Sequence, residues 1–137
     1  DRDAELVGDL GFAVRVGHRR ALIQSASGLV FFGASDAAEQ DRIRAVLSES
    51  DAKPAALATF EKEAVKVGKA GFVLKPSPII EGITDIGAPV YGAHAERPAA
   101  CLMMPFVSSR RQALKPERAL KSVRAAADEI SRSLRAR

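Results

Sequence analysis

The stretch "ITDIGAPVYGAHAERPAACLMMPF", Ile83 to Phe106, decides the fold. It divides into two apolar runs joined by a short polar turn, the signature of a β-hairpin. Neither run has a clean wet face. Met103 and Met104 stand side by side, next to the only cysteine, Cys101. A strand that is apolar on both faces lies between two layers of core, or packs one face on core and lines a cavity with the other.

Outward from the hairpin, "GFVLK" reads as a strand that Pro76 and Pro78 terminate. Before it, Pro54 suits the first turn of a helix, and Leu57, Phe60, Ala64 and Val67 follow at helical spacing until Gly68 or Gly71 ends it. "SDAAEQDRIRAVLSES" is another helix, with Asp36 and Glu39 at capping-box spacing and Ile43, Val46 and Leu47 as its apolar stripe. Nearer the start, "DRDAELV" enters a strand and "GFAVRVG" alternates like a half-buried one. The small residues Ser25, Ala26, Ser27 and Gly28 then feed a short helix that contains Leu29–Phe32. Finally, Pro116 opens a helix on which Leu120, Val123, Ala127, Ile130 and Leu134 recur at three- and four-residue steps. Strands, helices, strands and a closing helix in that order predict an α+β domain, and the hairpins exclude a purely parallel sheet.

With 137 residues the chain is one domain, residues 1–137, large enough to bury a core. No run approaches the roughly 18 apolar residues of a membrane span, so no membrane partner is expected. A single cysteine excludes an internal disulfide framework and fits a reducing, cytoplasmic setting. The chain opens on Asp1 rather than Met and reads as a piece of a longer protein. The net charge of +4 is confined to one segment: residues 110–137 hold nine Lys or Arg against three acids, while residues 1–109 hold twelve against fourteen. That pattern is the wet face of an amphipathic helix. No aromatic residue interleaves it to stack a base.

Residues for catalysis are sparse. His18 and His94 lack metal-ligand partners at useful spacing, Cys101 sits mid-strand as a buried thiol, and no phosphate loop or dinucleotide fingerprint occurs. No metal, cofactor or enzymatic activity is expected. Two features stay open. The small-residue loop at Ala26–Gly28 is either a site of close chain approach or a helix N-terminus whose N–H groups receive an anionic ligand. Asp85, mid-strand, either pairs with Lys75 from the preceding strand or points to water at an edge.

Four stretches in order carry a resemblance: "RVGHRRALIQSASGLVFFGAS", "FEKEAVKVGKAGFVLKPSPIIEGITDIGAPVY", "RPAACLMMPF" and "LKPERALKSVRAAADEISRSLRAR". Together they resemble the C-terminal effector-binding domain of the isocitrate-lyase-regulator (IclR) family of bacterial transcription regulators. The resemblance implies a GAF-like (profilin-like) domain, a central antiparallel sheet with helices packed on one face and a ligand cavity on the other. It implies a winged helix-turn-helix upstream, absent here together with the first strand, through which DNA would be bound. It also implies a homodimer or homotetramer. By position, the family's effector contacts fall on Ala26, Ser27, Gly28, Lys75, Ile83, Asp85, Leu102 and Met104. The chain departs from the family at the polar points. The family's usual loop lysine is Leu29, its strand-end acid is Lys75, and its two pocket serines are Leu102 and Met104.

Residues two apart on a strand share a face, so Ala100, Leu102 and Met104 point one way and Ala99, Cys101 and Met103 the other. The resemblance implies that the first set lines the cavity and the second packs beneath helices. A cavity so lined favours a small organic effector with substantial apolar area over a small, highly charged acid. The function that follows is a small-molecule-sensing regulatory domain. The alternatives are a domain with a collapsed pocket that serves only oligomerisation, and an enzyme with Asp85 as base and Lys75 as polarising group.

Overall fold

The computed structural model describes residues 4–7, 12–17, 19–108 and 114–137, so the expectations at His18, Arg110 and Arg111 lie outside the described residues. Two short strands, β1 (Ala4–Val7) and β2 (Phe12–Arg15), pair antiparallel as a separate two-stranded sheet. A 3-10 turn at Leu22–Gln24 leads into helix α1 (Ala26–Gly33), followed by α2 (Ala37–Ser48) and α3 (Pro54–Ala70). Strands β3 (Val73–Pro76), β4 (Ile83–Val90) and β5 (Ala100–Val107) form an antiparallel sheet in that order, and α4 (Pro116–Arg135) closes the chain. The fold is α+β and consistent with the GAF-like architecture.

Local chemistry sets the helix ends. The Asp36 carboxylate accepts the Glu39 N–H at 2.9 Å, one half of the expected capping box. The other half is replaced. The Asp36 N–H donates instead to the Glu96 carbonyl at 2.8 Å, which pins the β4–β5 link to the start of α2. That link, 91–99, is longer than the short turn predicted from sequence. Gly71, not Gly68, ends α3: its φ of 83° is the left-handed C-cap conformation that glycine adopts without strain.

Gly68 stays inside α3 and has a different task. A Cβ there would collide with the Gly33 carbonyl, and a Cβ at Gly33 would collide with the Ala64 carbonyl. The two helices therefore cross backbone to backbone. Beside that crossing, the Phe32 and Phe60 rings meet edge to face, with centroids 5.6 Å apart. Phe32 is fully buried, a burial worth roughly 1.5–3 kcal/mol.

The sheet separates two cores. On one face Ile86, Ala88, Val90 and Phe106 pack on Ala119, Val123 and Ala127 of α4. On the other, Val73 joins Leu29, Val30, Phe32, Phe60 and Ala64 of α1 and α3. The buried line on α4 is Ala119, Val123, Ala127 and Ser131, whose small side chains let the helix approach closely. Ile130 and Leu134 of the predicted stripe remain about 40 % exposed. Ser131 closes the contact by accepting the Tyr91 N–H at 2.9 Å, just past the end of β4. Pro89 is tolerated within β4 because β3 pairs only as far as Gly87, leaving one neighbouring strand beyond it.

Candidate functional site

A cavity of about 320 Å³ opens on the α1/α3 face of the sheet. Its apolar wall is Ile23, Ala26, Leu29, Pro78 and Ile79; Gln24, Ser25, Glu63 and Lys75 supply polar atoms. The size and the few convergent polar groups are those of a small-molecule site. Each wall has a local origin. Ser25 is the N-cap of α1: its hydroxyl accepts the Gly28 N–H and donates to the Leu22 carbonyl, both at 3.1 Å. These bonds fold the 3-10 turn back over the first turn of α1 and present the positive end of that helix to the cavity. Gly28 is required there, since a Cβ would strike the Leu22 carbonyl. Across the cavity, the Ser77 hydroxyl accepts the Ile79 and Ile80 N–H groups at 3.3 and 3.2 Å, shaping the wall formed by Pro78 and Ile79.

Lys75 reaches the cavity from β3, and its Nζ meets Glu63 Oε1 of α3 at 2.6 Å. Asp85 stands opposite Lys75 in the β3–β4 register, on the same sheet face but one strand further from the cavity. Burial holds its carboxyl above the usual range, opposed by the positive charges of Arg20 and Lys75. The expected Lys75–Asp85 pair is thus an electrostatic neighbourhood, and the direct ion pair of Lys75 is with Glu63.

Of the residues expected at the site, Ala26 and Lys75 line the cavity. Ser27 and Gly28 belong to the same helix turn but are not among its lining residues, and neither are Ile83 and Asp85. Leu102 and Met104 require a correction. Both pack against the cluster formed with α4, on the face turned away from the cavity. Cys101 and Met103 do pack beneath helices, but these are α1 and α3, on the face where the cavity opens. The reason lies in the register. Met103 opposes Gly87, whose missing side chain leaves room for the thioether, while Leu102 opposes Ala88 on the α4 face. Cys101 Sγ donates to the Ser27 carbonyl at 3.6 Å, tying β5 to the first turn of α1. Its thiol is pushed up to about 11 by burial.

Sequence reasoning missed Ile23, Gln24, Ser25, Leu29, Glu63, Pro78 and Ile79 as wall residues. Glu63 was the one with a signal: it lies three residues after Phe60 and one before Ala64, at the edge of the buried stripe of α3, where a charge needs a partner. Among the described residues no group of three or more His, Cys, Asp or Glu gathers as a metal site would require, and no helix is long and apolar enough to cross a membrane.

The sequence family described as "Bacterial transcriptional regulator IclR C-terminal" matches residues 5–132. No curated protein matches the chain in sequence. Among solved structures, the fold is similar to that of a protein described as a transcriptional regulator, RHA06195, from Rhodococcus sp. RHA1, with a TM-score of 0.69 at 19% identity over 90% of this chain and 52% of that one. An IclR transcriptional regulator from Alicyclobacillus acidocaldarius gives 0.67 at 21% identity, over 94% of this chain and 52% of the other. An IclR homologue from Microbacterium hydrocarbonoxydans, complexed with 4-hydroxybenzoate, gives 0.65 at 21% identity, over 100% and 58%. The chain spans about half the length of these solved proteins.

Proposed function

The chain belongs to the family of bacterial transcriptional regulator IclR C-terminal domains, and on that premise we propose that it is a small-molecule-sensing regulatory domain. Ligand binding in the cavity biases the arrangement of a homodimer or homotetramer and so alters how a winged helix-turn-helix elsewhere in the longer protein engages DNA. A ligand can shift that equilibrium only by its differential affinity for the two arrangements. The observation that carries the reading is the cavity itself. It brings the capped N-terminus of α1, an ion pair and five apolar side chains around one space of about 320 Å³. The apolar wall supports a small organic ligand with substantial apolar area. The residues that carry this preference are Ile23, Leu29, Pro78 and Ile79, not Leu102 and Met104.

Nothing in the cavity supports turnover. The Lys75 ammonium is held by Glu63, and Asp85 is not among the lining residues. The alternative, a domain with a collapsed pocket that serves only oligomerisation, is compatible with the apolar Leu102 and Met104, which pack against the α4 cluster, and it predicts no response to any ligand. Thermal unfolding of the 137-residue chain against a library of small organic molecules tests the proposal. A true ligand raises Tm with concentration, by about 2.7 kcal/mol of stability at a hundredfold excess over Kd. A library-wide absence of any rise overturns the sensor reading.

A further inference from the structure

We infer that Glu63 sets the ligand class of the cavity: by holding Lys75 it keeps carboxylates out, so that the site takes an uncharged organic molecule with a hydroxyl or carboxamide on an apolar body. The inference rests on the sensor reading and goes one step further into its chemistry. Among the lining residues Lys75 is the cation and Glu63 the anion, and they are joined at 2.6 Å. A ligand carboxylate that reached for Nζ would have to share it with Glu63, two like charges on one ammonium. Alternatively Glu63, 42% exposed, swings out to water. The acid then only exchanges one carboxylate for another and gains little.

A neutral head group meets no such contest. The ammonium of Lys75 keeps donors beyond the one given to Glu63, and the Glu63 carboxylate keeps free lone pairs. A hydroxyl or primary amide both accepts and donates, so it adds bonds without breaking the pair. The first turn of α1, with Ser25 and Ala26 on the cavity wall, favours the accepting oxygen of such a group. The apolar body then lies along Ile23, Leu29 and Ile79. Selectivity arises here from a repulsive element built into the site rather than from an added attraction.

The test is calorimetric titration of the 137-residue chain and of Glu63→Gln at pH 7.5 with matched acids and amides: benzoate and benzamide, 4-hydroxybenzoate and 4-hydroxybenzamide, hexanoate and hexanamide. The expected result for the wild type is amide binding tighter than acid binding in each pair, by about tenfold or more. Glu63→Gln frees the positive charge and should strengthen acid binding by about tenfold while leaving the amides within about threefold. Wild-type preference for acids, or acid affinity unchanged in Glu63→Gln, overturns the inference and leaves the sensor reading standing. A complete absence of binding by all six probes to both proteins overturns the ligand cavity and this inference together.

Discussion

Lys75 and Asp85 face each other directly across the β3–β4 ladder, yet the ion pair that Lys75 makes is with Glu63 of α3. The consequence is that Asp85, a partly buried carboxylate, is not the direct ion-pair partner of the lysine opposite it. Burial is the largest influence on it and raises its pKa, with Arg20 and Lys75 opposing. The folded chain therefore binds that proton more tightly than the unfolded one. This contribution favours the fold below the unfolded carboxylate value and is lost as pH rises through the raised native value. Asp85→Asn is expected to melt higher than the wild type at pH 7, with the difference shrinking as the pH falls to about 4. Melting curves over that range check it, and a lower Tm at pH 7 would show that the carboxylate is a net stabilising partner.

The Gly33–Gly68 crossing makes a prediction whose sign opposes helix propensity. In a solvated helix, Gly68→Ala would be favourable by about 1 kcal/mol. Here the added methyl meets the Gly33 carbonyl, so overpacking should cost about 1–3 kcal/mol instead. Urea unfolding of Gly68→Ala and Gly33→Ala measures this directly. Stabilisation in either variant would mean that α1 and α3 do not approach this closely.

Leu102→Ser separates packing from ligand contact. With Leu102 partly buried against the α4 cluster, loss of its side chain should lower stability by about 1–2 kcal/mol. Ligand affinity in the cavity should be unchanged, because the residue faces the other way. Loss of affinity with stability intact would put Leu102 in the ligand site after all.

The element order was legible in the sequence because its signals are local: Pro54 and Pro116 at helix starts, Asp36 as a cap, Pro76 at the end of a strand and Pro78 just past it. Lys75 and Ala26 came through the resemblance and do line the cavity. Which face of β5 turns to the cavity was not legible. Alternation places Leu102 with Met104 and Cys101 with Met103, but when both faces are apolar it carries no label for which core each one meets. Gly87 decides it, and that pairing is visible only once the β4–β5 register is known. On α4, the eye follows large residues, so Ile130 and Leu134 read as buried. The helix–sheet contact instead selects Ala119 and Ser131, where small side chains permit close approach. Glu63 carried only the hint of its place at the edge of the buried α3 stripe, because the partner that gives that place meaning, Lys75, stands on another element.

Cys101 offers a probe of the same interior. Its thiol, pushed up to about 11 by burial, leaves on the order of one molecule in a thousand as thiolate at pH 8. Iodoacetamide should therefore label the native chain at least about a hundredfold more slowly than the urea-unfolded chain. Equal rates would place the thiol in water and detach β5 from the Ser27 carbonyl.

Everything proposed about function requires that ligands enter between α1, α3 and β3. The most direct measurement is a 15N–1H correlation titration of the assigned chain with the tightest compound from the thermal screen or the matched amides. The predicted result is that the amide signals of Ser25, Ala26, Leu29, Glu63, Lys75 and Ile79 move together with one affinity, while those of Leu102, Met104 and α4 stay still. Movement centred on Leu102, Met104 and α4, or no movement anywhere at millimolar ligand, would contradict it.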